Sequence, residues 1–316
     1  MTDISIPPHI SEAAQDYYRG ERPAEITVDI NTAEGAAALR DALHPEWAKS
    51  CDDIDHPYSL DETTIGGIPG IWVTTANTGD DESVLLCLHG GAYVLGTPTV
   101  NAASAVSIAH AAGLKTFSAD YRLAPEYPYP AAIEDAVAAF RGLQELGYSA
   151  ERIGVIGESA GGGLALAMSL QLRDAGEPLP GAIYLSSAWA DLEGNGDSVT
   201  TLANSDPDFT DPAILYNCVK PYAGDNDLTD PLLSPVYAAL DGFPPLLIQA
   251  GSREILLSDS LRLARNARVA GVDVTLDIWD GMWHVFNAFT QLPEAQQANR
   301  EIGAFFRQHL IANDNV

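Results

Sequence analysis

A chain of 316 residues with 46% hydrophobic content is long enough to bury one large core, while a formal net charge of −28 gives it a surface that repels phosphate backbones and anionic head groups. Nucleic acid is therefore not an expected partner, and with no run near ~18 uninterrupted apolar residues, neither is membrane insertion. Met1 to Ile10 lack the basic stretch of a secretion signal, which makes the cytoplasm the expected location, and Cys51, Cys87 and Cys218, odd in number and without C-x-x-C spacing, argue against a disulfide framework or a zinc site.

Residues 1 to about 50 read as helical and acidic, with Ser11 and Thr32 as N-caps of two runs. Thr63 to Ile68 and Gly70 to Thr75 read as a hairpin divided at Pro69-Gly70, followed by a polar turn from Asn77 to Glu82. Ser83 to Leu88 is a continuous apolar strand that ends in His89-Gly90-Gly91-Ala92, and two glycines there let main-chain N–H groups turn into a cavity, as the stabilisation of an oxyanion requires.

Lys115 to Ala119 is the next strand, leading to Tyr121-Arg122-Leu123-Ala124-Pro125-Glu126 and a helix from Ala131 to Leu146. Arg152 to Ile156 is apolar and β-branched, Gly162 to Arg173 is small and aliphatic at helical spacing, and Gly157-Glu158-Ser159-Ala160-Gly161 joins them. Ser159 therefore sits on a sharp strand-to-helix turn, with Gly157 and Gly161 supplying the room that side chains would take. With a further strand at Ala182 to Leu185, the repeating βα pattern predicts a mostly parallel sheet covered by helices on both faces.

Regularity stops between Ser186 and about Pro235, in a stretch rich in Asp, Asn, Pro and Gly that is expected to be a lid. Pro244 to Gly251 restores the core, Asp259 to Ala270 is an amphipathic helix, Val272 to Trp279 is the last strand, and Glu294 to Ile311 is the closing helix. The expected division is an N-terminal arm over 1–50, a core over 51–187 and 235–316, and a cap insertion over 188–234.

Four of these stretches, in this order, resemble the bacterial hormone-sensitive-lipase family of α/β-hydrolases: His89-Gly90-Gly91-Ala92 for H-G-G-G, Tyr121 to Glu126 for Y-R-L-A-P-E, Gly157 to Gly162 for G-[DE]-S-A-G-G, and Asp280 to Phe286 for the histidine loop. The resemblance spans residues 83 to 290. It implies an α/β-hydrolase fold with a helical cap made by the arm and the insertion, hydrolysis of carboxylic esters with short acyl chains, and no cofactor. Two positions depart from the pattern. Ala92 replaces the third glycine, a mild change if φ there is negative, and the acid motif D-P-L stands as Glu254-Ile255-Leu256.

A serine hydroxyl needs an imidazole to take its proton and a carboxylate to orient that imidazole. His284, on a loop after the last strand, is the base; His9, His44 and His56 precede the core, and His110 and His309 lie on helices remote from strand ends. Glu254 is the preferred acid, with Asp259 the alternative at the start of a helix, while Asp280 reads as a turn residue. The N–H groups of Gly90, Gly91 and Ala160 are the expected oxyanion hole. His89 and the Tyr121 to Glu126 stretch are expected to support that loop, the latter through an ion pair of its Arg and Glu. Trp189, Trp283 and Phe286 suit either pocket walls or packing. The expected activity is a serine carboxylesterase acting on short- to medium-chain acyl esters through an acyl-enzyme. A lactonase, arylamidase or sugar acetylesterase on the same residues and, in a different class, a non-catalytic small-molecule receptor are the alternatives. The partner is a small-molecule ester, and oligomeric state, a homodimer included, is left open.

Overall fold

The computed structural model describes residues 5–20, 28–79, 82–208 and 211–311; the expected polar turn at Asn77 to Glu82 falls partly outside them. Helices α1 (Glu12–Arg19) and α2 (Ala33–Ala48) begin where expected, with the hydroxyls of Ser11 and Thr32 accepting the N–H groups of Ala14 and Gly35. A hairpin of β1 (Tyr58–Ile65) and β2 (Ile68–Thr75) follows. Its turn is Gly66-Gly67, at φ +59° and +81°, and Pro69-Gly70 lies inside β2 opposite Thr64 and Thr63. Two successive left-handed residues match the right-handed twist of paired strands, so the glycine pair rather than the proline sets the register.

Next come β3 (Val84–Leu88), α3 (Ala102–Ala112), β4 (Lys115–Ala119), α4 (Ala131–Glu145), β5 (Ile153–Glu158), α5 (Ala160–Asp174) and β6 (Ala182–Ser186). The segment after β6 carries three short helices, α6 (Ser198–Thr201), α7 (Ala213–Tyr216) and α8 (Val219–Ala223), before β7 (Leu246–Gly251), α9 (Leu257–Val269), β8 (Val274–Trp279) and α10 (Pro293–Leu310). The strands form one sheet in the order β1-β2-β4-β3-β5-β6-β7-β8, antiparallel at β1/β2 and β2/β4 and parallel from β4 onward.

Every residue of β3, β5, β6 and β7 is buried, as expected for strands covered on both faces. Alternation splits them between two cores: Leu86, Val155 and Leu185 pack with α4, α5 and α9, whereas Leu85, Cys87, Ile156 and Tyr184 pack with α3 and α10. A smaller apolar cluster joins Ala14 and Tyr18 of α1 to Trp283, Phe286 and α10. The ends of the parallel strands are thereby fixed, and the loops leaving their C-terminal ends carry the candidate site. No helix among the described residues is long and apolar enough to cross a membrane.

Candidate active site

Ser159 follows β5 directly and opens α5 with φ +52° and ψ −119°, a region that non-glycine residues enter only at a cost of roughly 1–3 kcal/mol. Hydrogen bonds on both sides hold it there. Its N–H donates to Ser186 O (2.9 Å), and its carbonyl accepts from Trp189 N (2.9 Å) and Gly162 N (2.9 Å). A Cβ on Gly161 would stand 2.0 Å from Leu88 O, so the helix can approach the neighbouring strand only because that side chain is missing.

The loop after β3 abuts the serine: a Cβ on Gly90 would lie 3.3 Å from Ser159 Cβ. No hydrogen bond from the N–H groups of Gly90, Gly91 or Ala160 is present among the described residues, and that of Ala160 lies at the positive end of the α5 dipole. Gly91 sits at φ +124°, and its carbonyl accepts the N–H groups of Val94 (3.0 Å) and Leu95 (2.7 Å). Ala92 and Tyr93 follow at φ +53° and +62°. The condition under which alanine would be an easy replacement for the third glycine is thus not met, since Ala92 occupies left-handed backbone.

His89 is buried and pushed down to about 4, chiefly by desolvation, so its ring is neutral and Nδ1–H donates to Gly90 O (2.8 Å). Tyr121 stacks on that ring and donates its hydroxyl to His89 O (2.7 Å). The ion pair expected within the Tyr121 to Glu126 stretch does not form. Arg122 instead grips Asp135 of α4 (2.7 Å), with Glu134 beside it, and Glu126 pairs with Arg40 of α2 (2.7 Å). Arg40 also donates to Val94 O (2.8 Å) and Ala124 O (2.9 Å), which ties the N-terminal arm to the glycine loop.

Glu254 lies fully buried after β7, with Oε2 accepting from Ser187 Oγ (2.7 Å) and Gly251 N (2.8 Å) and Oε1 standing 3.8 Å from His284 Nδ1. The structure therefore brings Glu254, and not Asp259, to the histidine. Asp259 points elsewhere, accepting the N–H groups of Ala190 and Asp191 (both 2.9 Å), and burial pushes it up to about 7. Asp280 is an exposed turn residue paired with His9 (3.0 Å). Burial pulls the pKa of His284 down, but Glu254 and then the charges of Asp206 and Asp208 outweigh it, and the imidazole ends above its ordinary value.

Two further residues organise this pair without having been picked out in the sequence. Ser187, at φ +48°, accepts from Val285 N (2.9 Å) with the same hydroxyl that it gives to Glu254, so it joins Glu254 to the loop bearing His284. Asp206, from the segment between β6 and β7, accepts His284 N (2.9 Å). Glu158, buried beneath the serine, accepts from Ser104, and desolvation raises its pKa.

The three aromatics weighed as pocket walls are all closed off from solvent. Trp283 stacks under Tyr17 of α1 (centroids 4.6 Å apart) and meets Tyr18 edge-on, and Phe286 leans on Trp279 (5.4 Å). Trp189 is the one bonded to the serine backbone, packed between Tyr93 and Tyr216. A groove of about 420 Å³ between β8 and α10, lined by Leu246, Thr275, Glu301 and Phe305, contains none of the site residues.

A serine at positive φ between a parallel strand and a helix, with a histidine and a carboxylate on loops after later strands of the same sheet, defines the α/β-hydrolase class. Residues 85–288 match the α/β-hydrolase fold family. The chain is 42% identical over 248 residues to an acetyl-hydrolase of Streptomyces hygroscopicus, across 78% of this chain and 82% of that one. To an esterase of Acinetobacter venetianus it is 36% identical over 219 residues, across 69% and 72%. The crystal structure of an esterase from the bacterial hormone-sensitive lipase family superposes with a TM-score of 0.84 at 38% identity, over 93% of this chain and 95% of that one. The chain belongs to this bacterial hormone-sensitive-lipase family of α/β-hydrolases, and it is a hydrolase of carboxylic esters.

Proposed function

We propose that the chain hydrolyses short- to medium-chain acyl esters by a two-step cycle through an acyl-enzyme, with Ser159 as nucleophile, His284 as base and Glu254 as the acid that orients it. Ser159 Oγ attacks the ester carbonyl carbon while its proton passes to His284. The N–H groups of Gly90, Gly91 and Ala160 receive the negative oxygen, and His284 returns the proton to the leaving alcohol. Water then attacks the acyl carbon in the same way, the acid departs, and the serine is regenerated.

The observation that carries this reading is the backbone of Ser159, held at φ +52° beside three main-chain N–H groups that make no hydrogen bond among the described residues. A strained nucleophile and unused donors at one place would be costly in a chain that did no acyl transfer. In this reading residues 1–50 and 188–234 form the cap over the core of 51–187 and 235–316. It is supported by Arg40 on the glycine loop and by Tyr18, whose hydroxyl donates to Gly281 O (2.9 Å) in the histidine loop. Preference for the acetyl group is a second reading, favoured by the Streptomyces relative, which is named an acetyl-hydrolase.

The test is hydrolysis of p-nitrophenyl acetate, butyrate, octanoate and palmitate by the wild type and by Ser159→Ala. Fast turnover of the short esters, falling by about 1,000-fold or more in Ser159→Ala, is the expected result. The ratio of kcat/KM for acetate over butyrate decides between the two readings. Persistence of activity in Ser159→Ala, or a folded wild type that opens lactones or cleaves aryl amides but turns over no ester, overturns the proposal.

A further inference from the structure

We infer that Asp206 is a positioning residue for His284: a carboxylate delivered by the cap segment that holds the histidine main chain and places a second negative charge beside the imidazole. The inference rests on His284 being the base in the cycle above.

Asp206 is fully buried, and both oxygens are committed, Oδ2 to His284 N (2.9 Å) and Oδ1 to Asp208 N (2.7 Å). Asp208 in turn accepts the Tyr17 hydroxyl (2.6 Å), and Tyr17 stacks flat on Trp283, the residue before the histidine. The histidine loop is therefore gripped from above by α1 and from the side by the insertion, and Asp206 is where the insertion reaches the base itself.

Main-chain N–H groups are satisfied as well by a carbonyl or an amide, neither of which carries the desolvation cost of a buried carboxylate. What a carboxylate adds is charge. Burial and the neighbouring Asp208 push the Asp206 carboxyl up to about 7, so it carries that charge above this pH. There the proton that His284 takes from the serine makes an imidazolium, and a negative group held in place nearby favours that state without reorganising. The ionisable groups facing the imidazole are Glu254 from the loop after β7, Asp206 and Asp208 from the cap, and Glu158 from the end of β5; those facing Asp206 are Asp208 and His284. Of the cap pair, only Asp206 is bonded to the histidine itself.

Asp206→Asn keeps the shape and an oxygen acceptor but removes the charge, and Asp206→Ala removes both. The kcat and KM of each for p-nitrophenyl butyrate are measured across pH, and the His284 titration is read directly by imidazole NMR in a Ser159→Ala background with and without Asp206→Asn. Loss of the charge lowers the histidine pKa. Asp206→Asn therefore moves both the acidic limb of kcat and the NMR midpoint to lower pH by about 0.5 unit or more. Asp206→Ala lowers kcat by about tenfold or more, with KM within about twofold. A profile and a midpoint that superimpose on the wild type in Asp206→Asn overturn the inference, even if Asp206→Ala is damaged, because only a structural role then remains. If Ser159→Ala itself keeps its activity, the underlying cycle has failed instead, and the NMR midpoint still reports whether Asp206 acts on His284.

Discussion

Replacing Glu254 by glutamine tests the assignment of the acid with the least disturbance. The amide keeps the size of the side chain and can still accept from Ser187 or Gly251, so the fold loses at most one or two hydrogen bonds, about 1–2 kcal/mol. The charge is what disappears. At the 3.8 Å separation of Glu254 Oε1 from His284 Nδ1, both groups being buried, a carboxylate stabilises an imidazolium by about 4 kcal/mol at an effective dielectric near 20. That interaction exists only while the histidine is protonated, so its loss falls on kcat, by roughly 1,000-fold, with KM within about twofold. The assay is saturation kinetics on p-nitrophenyl butyrate, with a thermal melt to confirm folding, and Asp259→Asn as the comparison. Asp259 serves the N–H groups of Ala190 and Asp191, which asparagine can also accept, so that variant is expected to stay within about threefold of the wild type. A loss under tenfold in Glu254→Gln, or an equal loss in Asp259→Asn, would refute the reasoning.

Asp259 carries a stability prediction of its own. Its carboxyl is held at about 7 in the fold against 3.8 ordinarily, chiefly by burial, so the folded chain keeps that proton more tightly than the unfolded one. Its contribution is complete below about pH 4 and is lost as pH rises to about 7. The stability of Asp259→Asn relative to wild type, from urea melts at pH 5 and pH 8, should therefore shift in favour of the variant at pH 8; a flat or opposite trend would show that the carboxyl is already ionised at pH 5. Ser187→Ala leaves Val285 N without its acceptor and Glu254 with one donor fewer, and should cost about 1–3 kcal/mol together with a kcat loss of tenfold or more; wild-type kcat would mean that the acid and the histidine loop are held without it. Ala92→Gly relieves left-handed backbone worth about 1–2 kcal/mol while adding unfolded-state freedom worth about half that, so a net gain of roughly 0.5 kcal/mol in a urea melt is expected, and a destabilised variant would place the strain elsewhere.

What the sequence could reveal was local. Apolar runs bounded by glycines marked β3, β5 and β7 to within a residue or two, because strands buried on both faces have little freedom in composition. Gly157, Ser159 and Gly161 were legible because a tight turn between a strand and a helix admits few side chains. The hairpin turn was misplaced because Pro69-Gly70 has turn chemistry as good as that of Gly66-Gly67, and only pairing across the strands separates them. Of the alanine-rich α3 only the helical placement of His110 was legible and not its bounds, since its surface is buried nearly all round and shows no polar period. The partners of Arg122 and Glu126 lay in other helices, out of reach of any local rule. Ser187 and Asp206 were hidden for a related reason. Each acts on residues 67 to 98 positions away, and neither serine nor Asp-Pro in a polar stretch announces such a contact.

Among the described residues, the non-glycine positions at positive φ are Ala92, Tyr93, Ser159, Ser187, Asn204 and Val285. All but Asn204 stand on the loops that carry Gly90 and Gly91, Ser159, the Glu254 partner Ser187, and His284, the residues to which the proposed cycle gives the chemistry. Such conformations persist only where the surroundings over-determine them, and here each loop leaves a strand or helix whose position the sheet has already fixed. The arm adds the remaining constraint, through Arg40 on Val94 and Ala124, His44 accepting from Gly96 N (3.0 Å), and Tyr17 and Tyr18 around Trp283. Strain and restraint are thus concentrated on the same few loops. Relaxing Ala92 changes little that the chemistry uses. Relaxing Ser159, Ser187 or Val285 would move the serine hydroxyl, Glu254 or His284, so, if the proposed cycle holds, stability and turnover are expected to oppose one another at those three positions.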